Sequence, residues 1–202
     1  MSRNSIALGI TGASGVVYGL RLLEYLLAQG EHVHLMVSKA AHMVIATETD
    51  FHLPPAPEAM KTALTTRFNV HPSLLHCYGP EQWTAPMASG SNAPRAMVIC
   101  PCTSGTLSAI ANGASNSLLE RAADVMLKEQ RKLILVLRET PLSAIHLENM
   151  LKLARMNATI LPASPGFYQK PEQVSQLVDF IVARILDHLQ IANTLAPRWG
   201  DE

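Results

Sequence analysis

Residues 6–15 read IALGITGASG, an apolar run of five residues that ends in a glycine-rich turn. Glycine tolerates backbone angles that other residues avoid, so a turn of this composition lets a strand pass tightly into a helix. Leucines at three- and four-residue steps, from Leu20 to Leu27, follow the turn and predict an amphipathic helix. The stretch therefore predicts a strand, a tight turn and a helix, which is the opening of a βαβ unit.

The alternation of strand and helix continues along the chain. Further strands are predicted at residues 32–37, 96–100, 133–137 and 159–161, and helices at 39–47, shortly after 106, and at 117–130, 143–156 and 171–190. Residues 133–137, LILVL, are apolar throughout, which is typical of a strand covered on both faces. Residues 50–95 hold seven prolines and are predicted to be the least regular part. Strands alternating with helices give a parallel sheet with right-handed crossovers. The sequence thus predicts an α/β fold, a doubly wound sheet of the Rossmann or flavodoxin type in a three-layer αβα sandwich.

The composition places limits on organisation and partners. A chain of 202 residues favours a single domain, 1–202, with a C-terminal helix and tail. Hydrophobic residues make up 48% and charged residues only 16%, below the usual ~25%, which excludes a disordered chain and indicates a homo-oligomer that covers part of its surface. Sixteen basic residues balance sixteen acidic ones, so no nucleic-acid partner is expected.

The cysteines and the apolar segments indicate a cytoplasmic protein. Three cysteines are an odd number and predict a reducing compartment rather than a disulfide framework. Cys100 and Cys102 are not spaced as a metal-ligand pair, so no metal is expected. Prolines and glycines interrupt the longest uncharged stretch, 96–119, and the N-terminus lacks a signal-peptide pattern, so no membrane span is expected.

Hydroxyls, glycines and a charged pair follow the predicted strands. In an open parallel sheet, ligands bind outside the carboxyl ends of the strands, and short hydroxyls with helix N-termini suit a phosphate. The residues in those positions are Gly12, Ala13, Ser14, Ser38, Thr103, Ser104, Gly105, Thr106, Arg138, Glu139 and Tyr168. The same glycines and hydroxyls also suit tight turns and helix caps, and this alternative stays open. Ser38 stands where an NAD site would have an acidic residue, which weakens NAD and leaves FMN or NADP.

Other polar residues are candidates for a second ligand group. Arg121 and Lys128 are seven residues apart, so they share a helix face about 10 Å apart along the axis. They form either a cationic clamp for a second phosphate or a solvated face paired with Asp124. Glu139 ends the most apolar strand and could carry a proton there. Trp83, in a proline-flanked loop, either stacks on a flavin or a cation or packs in the core.

Six segments together resemble the UbiX-type flavin prenyltransferases, in the wider family of homo-oligomeric flavin-containing Cys decarboxylases. They are residues 9–15 (GITGASG), 37–41 (VSKAA), 48–51 (ETDF), 100–103 (CPCT), 121–129 (RAADVMLKE) and 138–142 (RETPL). The resemblance runs from residue 5 to the helix that carries Arg184. The Pro-x-Met-Asn-x-x-Met signature of the Cys-decarboxylase branch is absent.

The resemblance implies a metal-independent transferase that joins the dimethylallyl group of dimethylallyl phosphate to reduced FMN, first at N5 and then at C6. It implies that the product, prenylated FMN, serves UbiD-type decarboxylases, including the one in ubiquinone biosynthesis. It also implies a dodecamer with active sites between subunits.

The resemblance also implies roles for individual residues. Those expected to hold FMN are Gly12, Ala13, Ser14, Ser38, Thr103, Ser104, Gly105, Thr106 and Arg138. Those expected to hold the prenyl phosphate are Ser89, Gly90, Arg121, Lys128, Glu139, Tyr168 and Arg184. The candidate catalytic residues are Ser14, Glu48, Trp83 and Glu139. Trp83 is a candidate π-face for the developing cation, and Glu139, Ser14, Glu48 or the released phosphate could take part in the proton relay, in an order that stays open. No motif fixes the place of Trp199 and the tail.

Other functions are compatible with the same residues. An FMN-dependent decarboxylase of an aromatic or peptidyl acid would use the cations for a carboxylate. A non-catalytic flavin carrier needs the FMN residues but not a second anion site. An NADP-dependent reductase would need Ser38 and Lys39 to bind a 2′-phosphate.

Overall fold

A computed structural model describes residues 4–200 of the chain. Its strands are β1 (Ile6–Ile10), β2 (Val33–Val37), β3 (Leu75–Tyr78), β4 (Ala96–Cys102), β5 (Lys132–Leu137) and β6 (Thr159–Ile160). Its helices are α1 (Val16–Ala28), α2 (Lys39–Glu48), α3 (Pro57–Phe68), α4 (Ser104–Ala111), α5 (Leu118–Lys128), α6 (Ala144–Arg155) and α7 (Val174–Leu189). The strands form one parallel sheet in the order β3-β2-β1-β4-β5-β6, which confirms the predicted doubly wound fold.

Helices cover both faces of the sheet. Successive side chains of a strand point to opposite faces, and in β1 Ile6 and Leu8 join one apolar cluster while Ala7 joins the other. The first cluster contains buried residues of α1, α2, α3 and α7, and the second contains those of α4, α5 and α6. The three-layer αβα sandwich is therefore confirmed, with α5 and α7 in opposite layers.

The prediction that residues 50–95 are irregular is wrong in part. Residues Pro57–Phe68 form α3, and Leu75–Tyr78 form β3, the edge strand beside β2. Pro57 stands in the first turn of α3, where its missing N–H costs no hydrogen bond. The sheet consequently has six strands rather than the five predicted.

The sheet order locates the ligand crevice. The chain leaves β1 for β2 and β3 on one side and returns to β4 on the other. Crevices of doubly wound sheets open at this reversal, outside the carboxyl ends of the strands. The turns that follow β1 and β4 are therefore the first place to look for a site.

Candidate functional site

The turn after β1 is packed too closely for larger residues. A methyl group at Gly12 would overlap Ala40 of α2, and Gly15 has φ of 97°, a left-handed conformation that favours glycine. The two glycines therefore let the turn lie against α2 and enter α1 at a sharp angle.

Glu48, the last residue of α2, supplies the cap that α1 lacks. Its Oε2 accepts hydrogen bonds from the amides of Gly15 at 2.9 Å and Val16 at 3.1 Å. A carboxylate is favoured at a helix N-terminus, where free amides and the helix dipole attract negative charge. The contact places Glu48 next to Ser14, so two candidate catalytic residues lie together although 34 residues separate them in the sequence.

Thr11 ties the turn after β1 to the turn after β4. Its buried hydroxyl donates to the carbonyl of Pro101 at 2.7 Å and accepts from the amide of Thr103 at 2.9 Å. Thr103 then caps α4, because its Oγ1 accepts from the amide of Thr106 at 3.0 Å. The sequence analysis missed Thr11. The only local signal was a hydroxyl at the end of an apolar run.

Arg138 and Glu139, after β5, complete the junction. The Oγ of Ser104 donates to Oε2 of Glu139 at 3.0 Å, and Nε of Arg138 donates to the carbonyl of Ser14 at 3.2 Å. The turns after β1, β4 and β5 are thus joined pairwise, and we call these three connections (Thr11–Thr103, Ser104–Glu139, Arg138–Ser14) the edge ring. The amide of Thr140 and the Ser104 hydroxyl lower the pKa of Glu139, so its side chain is a carboxylate at neutral pH.

A cavity of about 160 Å³ opens beside the edge ring. Two residues predicted to hold FMN, Ser38 and Thr106, line it, together with Thr11 and Tyr78, which the sequence analysis did not select. The Tyr78 hydroxyl lies 2.9 Å from Nδ1 of His34, whose pKa is lowered to about 4 by burial, so this histidine is neutral.

The edge ring and the cavity fit a ligand that carries both a phosphate and a flat apolar part. In the first turn of α4, the amides of Ser104 and Gly105 have no partners within the helix. Arg138 adds a positive charge at the ring. The cavity walls are largely apolar, and Met36 and Leu119 line them together with Thr11 and Ser38.

A second group of predicted residues lies along α5. Nε of Arg121 donates to the carbonyl of Ala88 at 3.1 Å, and a methyl group at Gly90 would overlap the carboxylate of Glu129. The structure therefore brings Ser89 and Gly90, which precede β4, beside Arg121 and Lys128 of α5, and we call these four residues the α5 group. Arg121 pairs with Asp124 at 2.7 Å, and Lys128 pairs with Glu129 at 2.6 Å. Of the two ion pairs expected in the solvated alternative, the one between Arg121 and Asp124 is present, whereas Lys128 pairs with Glu129 instead of Asp124.

Trp83 lies in the segment between β3 and α5. Its side chain is 47% exposed, and its backbone amide donates to the carbonyl of Glu81 at 2.9 Å. Trp83 is therefore not part of the core of this chain, because a core side chain would be covered. A stacking role remains a prediction.

A third group lies between α7 and the C-terminal tail. The ring of Tyr168 meets that of Trp199 edge-on at 5.0 Å, and Arg184 pairs with Asp187 at 2.8 Å. These four residues line a cavity of about 370 Å³ together with Arg198, and we call it the tail cavity. Because α5 and α7 cover opposite faces of the sheet, a single chain divides the residues predicted for the prenyl phosphate between two layers.

The cysteines do not provide a nucleophile. All three are free and buried, and burial raises the pKa of Cys77 and of Cys102 to about 12. A thiol with such a pKa is not ionised at neutral pH and is unreactive. Within residues 4–200, no three His, Cys, Asp or Glu side chains are grouped as metal ligands, and no helix is long and apolar enough to cross a membrane.

Comparison with known proteins shows clear relatives. The model of the Flavoprotein family matches residues 1–186. A curated relative, flavin prenyltransferase UbiX of Pseudomonas aeruginosa, is 57% identical over 197 residues, which cover 98% of this chain and 94% of that protein.

Two solved structures share the whole architecture. AnUbiX (PadA1), described in complex with FMN and dimethylallyl pyrophosphate, superposes with a TM-score of 0.88 at 37% identity and covers 99% of both chains. A dodecameric FMN-dependent UbiX-like decarboxylase from Escherichia coli O157:H7 superposes with a TM-score of 0.86 at 38% identity, covering 96% of this chain and 98% of that one.

Proposed function

The chain belongs to the Flavoprotein family and, within it, to the UbiX-type flavin prenyltransferases, and from this membership we propose that it joins the dimethylallyl group of dimethylallyl phosphate to N5 and C6 of reduced FMN. The observation that carries the proposal is a contact in the edge ring. The turn after β4, whose hydroxyls and free amides suit a phosphate, donates a hydrogen bond from Ser104 to the ionised carboxylate of Glu139. Such a junction can hold a flavin and serve a proton transfer at the same place.

The edge ring supplies the donors for FMN. Gly12, Ala13, Ser14, Ser38, Thr103, Ser104, Gly105, Thr106 and Arg138 lie on the turns and helix starts around the crevice. The α4 amides and Arg138 suit the phosphate, and the largely apolar cavity beside them suits the flat part of the molecule. When bound in reduced form, FMN supplies the nucleophilic ring that accepts the prenyl group.

The α5 group and the tail cavity supply the cations for the prenyl phosphate. A phosphate that departs from an allylic carbon gains charge, so guanidinium and ammonium groups near it stabilise the transition state. Arg121, Lys128 and Arg184 are such groups, and Ser89, Gly90 and Tyr168 add neutral donors. The aromatic face of Trp83 can stabilise the positive charge left on the prenyl carbon.

Two carboxylates are candidates to accept the proton that must leave the flavin when the bond to C6 forms. Glu139 is ionised and contacts Ser104, so it can accept a proton at the edge ring. Glu48 lies at the neighbouring turn, the one after β1, where its carboxylate accepts hydrogen bonds from the amides of Gly15 and Val16. We assign the main role to Glu139 and a supporting role to Glu48 and Ser14.

The residues predicted for the prenyl phosphate lie in two layers of a single chain, those of α5 and α7, and assembly into a homo-oligomer would bring such residues together. We propose that a neighbouring subunit brings its α5 group to the edge ring of the first. The dodecameric neighbour from E. coli supports an oligomer. So does the surface of α6, where Ile145, Leu147 and Leu151 are 65%, 52% and 50% exposed.

We also propose a cellular role. The product, prenylated FMN, would pass to a UbiD-type decarboxylase, including the one of ubiquinone biosynthesis, and would serve there as the cofactor. The three free cysteines are consistent with the cytoplasm.

The test is an anaerobic incubation of the protein with reduced FMN and either dimethylallyl phosphate or dimethylallyl pyrophosphate, followed by mass spectrometry of the extracted flavin. We expect the flavin to gain one C5 unit with the monophosphate. Flavin that stays bound but unchanged with both donors would contradict the transferase. A mass gain of the flavin with the pyrophosphate alone would show that the prenyl donor is the pyrophosphate and not the monophosphate.

A decarboxylase is the second candidate, because the E. coli neighbour is described as an FMN-dependent UbiX-like decarboxylase. The cations that suit a phosphate also suit a carboxylate. Release of carbon dioxide from aromatic acids, with no mass gain on the flavin, would favour this activity.

A further inference from the structure

Asp187 is the polar centre of the tail cavity. Its Oδ2 accepts from Nη1 of Arg184 at 2.8 Å. Its Oδ1 accepts from Nη2 of Arg198 at 3.2 Å and from Nδ2 of Asn193, also at 3.2 Å. One carboxylate therefore joins α7, through Arg184, to two points of the C-terminal tail.

The tail has further contacts that keep it over α7. The Tyr25 hydroxyl donates to the carbonyl of Ala192 at 3.2 Å, and the Gln169 side chain donates to the carbonyl of Pro197. Trp199 meets Tyr168 edge-on. Two residues assigned to the prenyl phosphate are thereby linked to the tail: Tyr168 directly, through Trp199, and Arg184 through the contacts of Arg198 and Asn193 with Asp187.

The charges in the cavity leave room for an anion. Two guanidiniums face one carboxylate, so the cluster of Arg184, Arg198 and Asp187 has a net charge of one positive unit. The side chains of Arg184 and Arg198 are 53% and 64% exposed, so each would turn toward solvent if its partner were lost. Without Asp187, the two like charges would also repel each other.

Aromatic side chains also line the cavity. They are Tyr168, Phe180 and Trp199, with Tyr168 edge-on to both of the other rings. A cavity lined by both cations and aromatic rings suits a small phosphate ester with a branched hydrocarbon group. The volume of about 370 Å³ is sufficient for such a molecule.

We infer that Asp187 is a positioning residue for the prenyl-phosphate site: it holds Arg184 and Arg198 side by side and fastens the tail across the cavity that Tyr168 and Arg184 line. The inference rests on the proposed function, since it takes Tyr168 and Arg184 as ligands of the prenyl phosphate. Arg198 thereby becomes a second guanidinium beside the substrate, and Asp187 acts on the substrate only through the two arginines.

The test compares Asp187→Ala and Asp187→Asn with the control Asp179→Asn. Asp179 lies on the same helix and forms a similar ion pair, with Arg21 at 2.7 Å, away from the tail. We expect Asp187→Ala to raise the Kd for dimethylallyl phosphate, measured by calorimetry, and the KM at least tenfold, with little change in kcat or in FMN affinity. The neutral amide of Asp187→Asn can still accept hydrogen bonds, so it should restore part of the affinity. Asp179→Asn should match the wild type.

Two further readouts separate positioning from general stability. Carboxypeptidase should remove the tail faster from Asp187→Ala than from Asp179→Asn, as followed by intact mass. Arg198→Ala should raise the same Kd, and the double variant Asp187→Ala/Arg198→Ala should be no worse than Asp187→Ala alone. Equal affinity and equal tail protection in Asp187→Ala and Asp179→Asn would overturn the inference. A wild-type protein that binds dimethylallyl phosphate without forming product would instead contradict the proposed function alone, and one that does not bind it would contradict both.

Discussion

The edge ring and the α5 and tail groups are held in different ways. At the edge ring, backbone and side chains of three turns hydrogen-bond to one another, and Thr11 at its centre is only 2% exposed. The cations of the other two groups each pair with an acidic residue on the same helix or next to it. Their side chains are 34%, 47% and 53% exposed for Arg121, Lys128 and Arg184.

This difference indicates two kinds of binding site. Thr11 is buried, so its hydrogen bonds would be costly to lose, and they fix the turn after β1 against the turn after β4. Exposed ion pairs are worth about 0–1 kcal/mol, so these cations can adjust their positions at little cost when a phosphate arrives. The flavin part of the site is thus rigid, whereas the phosphate part is adaptable and, in our proposal, shared between subunits.

The largest expected effect comes from removing the negative charge of Glu139 in the edge ring. Glu139→Gln keeps the shape of the side chain but cannot accept a proton, so we expect kcat to fall roughly 100-fold or more. FMN affinity should change little, because Glu139 is not among the FMN ligands. Single-turnover prenylation followed by mass spectrometry measures the first quantity, and flavin fluorescence titration the second.

Ser104→Ala is the matched variant for this prediction. The Ser104 hydroxyl lowers the pKa of Glu139 by donating to its carboxylate. Its loss should raise that pKa, so the acid limb of the kcat profile should move to higher pH. A Glu139→Gln enzyme with wild-type turnover, or an acid limb that stays in place in Ser104→Ala, would remove Glu139 from the chemistry.

A smaller effect tests whether the two regions meet between subunits. Glu139→Gln and Arg121→Ala chains, carrying different tags, are coexpressed and hetero-oligomers are purified through both tags. If α5 comes from a neighbour, random mixing restores about a quarter of the sites, because these combine an intact Glu139 with an intact Arg121. Prenylation should therefore recover to about a quarter of the wild-type rate.

The control pairs two changes in the same region. Glu139→Gln and Arg138→Ala lie on one turn, so no mixture of these chains can form an intact edge ring, and activity should stay lost. Recovery in this control would show contamination with wild-type chains, or that Arg138 and Glu139 of one chain serve different sites. No recovery with Arg121→Ala would place the α5 group and the edge ring within one chain.

Most of the fold follows from patterns that the sequence carries locally. The apolar runs at β1, β4 and β5 and the alternation with helices predict the parallel sheet. The signals for α3 and β3 failed for physical reasons. Pro57 looked like a breaker but occupies a first-turn position that tolerates it, and β3 is a four-residue edge strand, too short for a clear period.

The candidate site was predictable where its residues directly follow strands of the sheet. Ser14, Thr103 and Glu139 were selected because they follow strands of a parallel sheet. Thr11 was missed because its partner Pro101 lies 90 residues away, and Tyr78 because its strand was not predicted. Long-range hydrogen bonds leave no periodic trace in a sequence, so only the structure could reveal the edge ring.

The smallest expected effect tests whether the flavin contacts the start of α4. In Gly105→Ala, the nearest atom to the new methyl group is Oγ1 of Thr103 at 3.9 Å, so the ligand-free protein has room for it. Alanine favours helix more than glycine, by up to about 1 kcal/mol, so the melting temperature should stay equal or rise by a few degrees. A ligand that approaches this backbone would meet the methyl group, and we expect the Kd for FMN to rise about tenfold by fluorescence titration, a loss of about 1.4 kcal/mol. Ser108→Ala, further along α4, should share the thermal effect without the change in Kd. Unchanged FMN affinity in Gly105→Ala would mean that the flavin is held elsewhere around the crevice, with Ser38 and Arg138 as the contacts to test next.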